Sequence, residues 1–325
     1  MKKSLYSFLL RVFVSLLFII ILLYIMRDKY GQIAKVLKGT DLPLFSFSLF
    51  VFFMALAAAA FRLKLIIATQ EIPATFMEAL SLTLIGYFFN NFLPTSIGGD
   101  VVKAYYLSKK TTAKMGAFTS VFVDRAIGLF TMIFMAAVAL LFAPYEIIDL
   151  WVRYMIYAIT AASVILIIFL INRGFARRFS KFLVLVRPIE EKLKKAYSAI
   201  HGYRNHTMLM FQSTAISIVS QLLYFITIGI MAASIGLRIP TIDILLRMPI
   251  VSAMSLLPSI NGLGLREGSM VLLFGQLVGK ANAFAVSILL LLCLFIVSIL
   301  GGAIYALSPQ FRVNLKKEEA EEVFI

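Results

Sequence analysis

Six charged residues stand in strongly apolar surroundings: Asp100, Lys103, Asp124, Arg125, Arg266 and Glu267. Charge at membrane depth is costly, so such side chains face a protein interior or a watery cavity and find partners there. Asp124 and Arg125 are consecutive, and consecutive helical positions point about 100° apart. They cannot simply neutralise each other, so each needs another partner, such as a residue from a hairpin tip. A guanidinium grips phosphate through two parallel hydrogen bonds, which fits Arg125 and Arg266 to an anionic lipid headgroup, with Lys103 as a third cation. Asp100, Asp124 and Glu267 then serve ion pairing or carry a coupled ion. The plainer reading of each arginine is a structural ion pair that holds a hairpin in place.

The surroundings set what must position these groups. Of 325 residues, 61% are hydrophobic and 14% charged, against about 25% charged in soluble domains. With a mean hydropathy of +0.95, the chain requires lipid as its solvent. The net charge of +15 comes from basic residues between apolar runs, which fits contact with anionic lipid and argues against nucleic acid. Six segments, 6–26, 43–66, 115–142, 152–171, 208–235 and 281–307, meet the length of about 20 apolar residues that a spanning helix needs. The first resembles a signal peptide, but no small-residue cleavage site follows it, so it reads as an uncleaved span.

Two further apolar regions are interrupted. In 77–110 the break contains Asn90, Asn91, Pro94, Thr95, Ser96, Gly98 and Gly99. In 241–279 it contains Pro258, Ser259, Asn261, Gly262 and Gly264. Proline removes a backbone donor and glycine permits sharp turns. Both regions therefore read as re-entrant helical hairpins, their irregular tips covered by protein or facing a watery cavity. Helix starts at Gly98 and Gly264 would add free N–H groups that favour anions. The asparagines read as tip-stabilising more readily than as substrate-reading.

The expected fold is an all-α integral membrane protein of six full transmembrane helices plus two re-entrant hairpins. With both termini cytoplasmic in a cell membrane, the cytoplasmic segments 1–11, 62–78, 103–114, 172–207 and 308–325 carry 21 Lys and Arg and the opposite side 7. Each half reads span, span, hairpin, span. Three full spans per half insert the second half upside down, giving an inverted repeat, an arrangement found in transporters. Residues 1–143 form the first repeat, and 144–171 with 208–307 the second. Between them, 172–207 reads as a basic amphipathic helix on the headgroups, and 308–325 as a mobile tail.

Enzyme signatures are missing: no phosphate-binding loop, no His-Glu-x-x-His and no cysteine pair. One cysteine, Cys293, and two histidines, His201 and His206, build neither a disulfide nor a metal cluster, so no metal or cofactor is expected. An intramembrane enzyme acting through Asp100, Asp124 or Glu267 stays open as an alternative.

Three motifs in order give a family resemblance. Asn91-Phe92-Leu93-Pro94-Thr95-Ser96-Ile97-Gly98-Gly99-Asp100 with Lys103-Ala104 is the first, and Val123-Asp124-Arg125-Ala126-Ile127-Gly128-Leu129 the second. Leu257-Pro258-Ser259-Ile260-Asn261-Gly262-Leu263-Gly264-Leu265-Arg266-Glu267 is the third. Together they resemble the lysylphosphatidylglycerol synthase transmembrane region, or flippase-like family, over about residues 5–307. In the family's fused members this region flips the aminoacylated lipid made by a synthase domain. Other members stand alone, some beside glycosyltransferases. The resemblance implies a lipid translocator that recognises a phospholipid or polyprenyl-phosphate headgroup. The chain departs from the fused members in carrying no synthase domain, so aminoacyl transfer is not implied. The alternative is a non-transporting scaffold that recruits a glycosyltransferase or lipid-modifying enzyme through 172–207.

Overall fold

Asp41 starts the first long helix: its carboxylate accepts the Leu44 N–H at 2.9 Å, and Pro43 follows in the first turn. The protein is seen here as a computed structural model that describes residues 20, 23–24, 26–92, 98–142, 150–171, 203–257, 259 and 261–308. Among these, regular structure is helical. In chain order the helices are α1 (Tyr30–Lys38), α2 (Leu42–Ala68), α3 (Phe76–Phe92), α4 (Gly98–Ser108), α5 (Lys114–Phe142) and α6 (Leu150–Ile171). They continue with α7 (Thr207–Ala233), α8 (Thr241–Met254), α9 (Leu265–Val278) and α10 (Lys280–Leu307).

Four of them, α2, α5, α7 and α10, are long and apolar enough to cross a membrane. At 1.5 Å per residue, their 27 to 29 residues reach about 40 Å. Their outer faces leave Phe47, Phe50, Phe134, Phe211 and Ile299 uncovered, which lipid tolerates and water does not. The expected span 152–171 is α6. Most of the expected span 6–26, the basic segment 172–207 up to Gly202 and the tail beyond Ser308 lie outside the described residues.

The interrupted regions form paired short helices. An acid at the third position of α3, Glu78, makes a reciprocal cap with Thr75: Thr75 N–H donates to Glu78 Oε2 at 2.9 Å, and Glu78 N–H to Thr75 Oγ1 at 3.2 Å. Glu78 also holds Lys110 at 2.5 Å, so the outer ends of α3 and α4 sit together. At the other end of the pair, Gly99 N–H donates to Asn90 Oδ1 at 2.7 Å. α4 has 11 residues and rises only about 16 Å, well short of the ~30 Å hydrocarbon layer. Asp100, near its start, pairs with Arg125, a position about 17 Å along α5 with about 25 Å of that helix still to run. The inner end of α4 thus stops partway along a long helix. α8 and α9 pack on each other in the same way, and Gly279 (φ +86°) turns the chain directly into α10.

Glycines allow the closest approaches. A Cβ on Gly99 would collide with the Gly86 carbonyl of α3, and one on Gly301 with the Leu84 carbonyl. α3 is therefore clamped between α4 and α10 at backbone contact.

α2 and α7 run antiparallel along their lengths: Asp41 N–H meets the Ser234 carbonyl at 2.7 Å, Ser220 Oγ the Ala55 carbonyl at 2.9 Å, and Arg62 Nη1 the Ser217 hydroxyl at 2.8 Å. Small and hydroxylated residues at this seam let the backbones approach, as in membrane helix pairs generally. Several of the remaining contacts come in matching sets. α2 touches α3 as α7 touches α8; α4 packs on α5 as α9 packs on α10; and α3 reaches α10 as α8 reaches α5.

Gly301→Ala should cost about 1–3 kcal/mol by forcing α3 and α10 apart. Gly268→Ala, in open space on α9, should be neutral or slightly stabilising; thermal melts in detergent compare the two. The Lys110 and Thr75 contacts hold the Glu78 carboxyl below its ordinary value of 4.5. A depressed folded-state value makes this contribution present above about pH 4.5 and lost as pH falls below it. Glu78→Gln should flatten that acid-side decline in melting temperature.

Candidate functional site

The two broken regions meet at their inner ends. Asn91, at the end of α3, accepts a hydrogen bond from Asn261, in the turn before α9. Asn261 (φ 47°), Gly262 (φ 74°) and Gly264 (φ 80°) carry the left-handed backbone that makes this turn, which glycine adopts without penalty. Ser259 is buried there, and its hydroxyl contacts the Leu257 carbonyl at 3.3 Å. Pro94, Thr95, Ser96 and Pro258 lie outside the described residues. Gly98 and Gly99 open α4 and are buried.

Beside this junction lies a cavity of about 360 Å³, walled by α2, α3, α4, α5, α7, α8, α9 and α10. Arg62, Lys103, Arg125 and Arg266 line it, as do Asp100 and Asp124. Four basic groups against two acidic ones give it a positive balance. Part of the lining is aromatic, with Phe52 against both Tyr87 and Tyr224 at centroid distances of 6.5 and 6.1 Å. Polar groups from α7 and from the end of α8, among them Gln221, Ser252 and the following Ser255, complete the lining. The size suits a small polar headgroup, at the lower end of the usual range of about 300–1,000 Å³.

The ion pairs divide as the 100° turn between neighbours requires. Asp124 Oδ1 takes Arg62 Nε at 2.7 Å, across to α2. Arg125 points the other way and pairs with Asp100, whose second oxygen lies 3.3 Å from Lys103 Nζ. Arg266 and Glu267 are also consecutive, yet they do pair, Arg266 Nη2 lying 2.9 Å from Glu267 Oε1. The reason is local. Glu267 folds back over the first turn of α9 to accept the Gly264 N–H at 2.7 Å, which leaves its other oxygen beside the guanidinium. The N–H groups expected to be free at Gly98 and Gly264 are thus partly engaged here, at Gly99 by Asn90 and at Gly264 by Glu267.

Arg62 is the residue that sequence reasoning missed. Lys64 follows two positions later, and the stretch from 62 onward read as a cytoplasmic segment. In the structure α2 continues to Ala68 and buries Arg62 to 7% exposure, between Asp124 and Ser217. The signal was present, since Arg62 lies within the apolar run 43–66, where a charge demands a partner. Tyr87, Tyr224 and Gln221 could not be singled out among many similar residues.

The family profile described as the lysylphosphatidylglycerol synthase transmembrane region matches residues 8–302. The chain belongs to that family. Two similar relatives are archaeal and are named only as UPF0104 membrane proteins. One, from Methanothermobacter thermautotrophicus, is 23% identical over 301 residues, covering 84% of this chain and 88% of the relative. The other, from Methanocaldococcus jannaschii, is 31% identical over 187 residues, covering 52% of each. No solved structure matches. For this member of the synthase transmembrane family, the family and the apolar helices identify an integral membrane protein.

Removing one partner of a buried pair strands the other charge, at a cost of about 3–5 kcal/mol, whereas removing both costs less. Arg62→Ala should therefore lower the melting temperature more than the double variant Arg62→Ala/Asp124→Ala does. A double-mutant cycle from melts in detergent measures the difference.

Proposed function

We propose that this protein translocates an anionic lipid headgroup, a phospholipid or a polyprenyl phosphate, across a cell membrane. The observation that carries the reading is the positively balanced cavity at the point where the two broken regions touch. Irregular backbone within a membrane protein is tolerated where it lines such a cavity, and transporters built from repeats bind substrate there. Arg125, Lys103 and Arg266 hold the phosphate, and the acyl or prenyl chains stay in lipid.

The proposed architecture is the inverted repeat, with α3–α4 and α8–α9 as its re-entrant hairpins. Its support is that α2 and α7, which occupy corresponding places in the two halves, run antiparallel, and that three further pairs of helix contacts match between the halves. An 11-residue α4 that ends partway along α5 fits a hairpin that does not cross. Rocking of the halves about the α2–α7 seam would expose the cavity to each face in turn. Both termini are assigned to the cytoplasm by the distribution of Lys and Arg.

Reconstituted into liposomes containing a fluorescent anionic phospholipid, the protein should accelerate exchange between leaflets. Arg125→Ala and Arg266→Ala should each reduce that rate at least about tenfold, the loss of one charged hydrogen-bonded contact. Unchanged rates in variants that melt normally would refute the headgroup role.

A further inference from the structure

The three acids of the site are not equivalent. Asp124 is committed to Arg62, which Ser217 also holds, and both side chains are buried. Glu267 has both oxygens engaged, one capping α9 through Gly264 and one on the adjacent Arg266. Asp100 differs: it faces the cavity and bridges two cations from two helices, Oδ1 to Lys103 on α4 and Oδ2 to Arg125 on α5. It also lies in the first turn of α4, where the helix dipole adds to the attraction for negative charge. One anionic group with an oxygen on each of two cations, at a helix start, is also how a phosphate would be held there.

We propose that Asp100 is an internal substitute for the substrate phosphate, and that a lipid phosphodiester takes its place between Lys103 and Arg125 as Asp100 takes up a proton. This rests on the headgroup reading above and specifies how that site is filled and emptied. In the empty site each carboxylate oxygen of Asp100 is held by one of the two cations. The other groups facing it do not replace them. On α3, Tyr87 and Asn90 are uncharged, and Asn90 is engaged by Gly99. On α5, Asp124 is turned to Arg62, while Arg62 and Arg266 lie elsewhere in the cavity lining. A phosphodiester arriving at Lys103 and Arg125 sets a second negative charge beside the carboxylate, and two acids sharing one site do not both stay ionised. The proton taken up by Asp100 returns the cluster to the net positive charge it had before binding and releases both cations to the phosphodiester; its loss returns the carboxylate to the cations and expels the lipid. Capture and release of the headgroup are thereby linked to one proton.

The test uses the purified full chain in detergent and a fluorescent short-chain phosphatidylglycerol, whose phosphodiester keeps one negative charge from about pH 5 to about pH 8. Wild-type affinity should fall about tenfold across that range, the uptake of one proton acting over about one pH unit. Asp100→Asn, which cannot ionise, should bind at least about tenfold tighter than wild type at the upper pH, with the trend abolished. Competition by inorganic phosphate would support the exchange with a free anion as its source, and absence of competition would support it with a lipid as its source. Equal affinities and equal pH trends in the two proteins would overturn the exchange and leave the headgroup reading standing. Failure of both proteins to bind the probe would overturn both. Asp100→Ser replaces the amide variant if that one melts early, and a wild-type affinity independent of pH overturns the exchange without either.

Discussion

Asp124 and Arg125 leave α5 in different directions, and the structure around the cavity depends on where each of them ends. Asp124 reaches Arg62 and joins α5 to α2. Arg125 reaches Asp100 and joins α5 to the inner end of α4. Charges in an apolar environment are tolerated only when paired, so a helix carrying two opposite charges on different faces must have a neighbour on each. The same requirement fixes α4 at its depth. Asp100 at the level of Arg125 supplies the ion pair that ties so short a helix partway along a much longer one.

Backbone contact supplies the other half of the positioning. The glycines at 99 and 301 bring α4 and α10 against α3 closely enough to exclude a methyl group. Close approach lets Asn90 cap Gly99 and lets Asn91 meet Asn261 across the junction. The broken ends of two separate segments therefore satisfy each other's polar groups beside a cavity of modest size. The two glycine contacts fall within one turn of α3, at Gly86 and Leu84. The aromatic trio of Phe52, Tyr87 and Tyr224 lines the same cavity.

Much of this was legible beforehand. The limits of α5, α7 and α10 and of both interrupted regions follow from apolar run length and from Pro and Gly placement, because lipid imposes those rules residue by residue. The need of Asp124 and Arg125 for separate partners followed from helix geometry alone. Arg62 was misread because a second basic residue, Lys64, made the end of an apolar run look like its flank. The Arg266–Glu267 pair was not foreseen, because it depends on Glu267 bending back to cap a glycine whose backbone conformation is set by the turn.

By itself the sequence determined a membrane-embedded helical chain, two interruptions and six charges that could not stand alone, since composition and period carry that information locally. Which charge meets which was decided only by tertiary structure. Arg62 and Asp124 are 62 positions apart, Asn91 and Asn261 are 170 apart, and no local pattern encodes such pairings. The cavity likewise exists only where helices from both halves of the chain converge, because its walls are the faces that those helices leave unfilled.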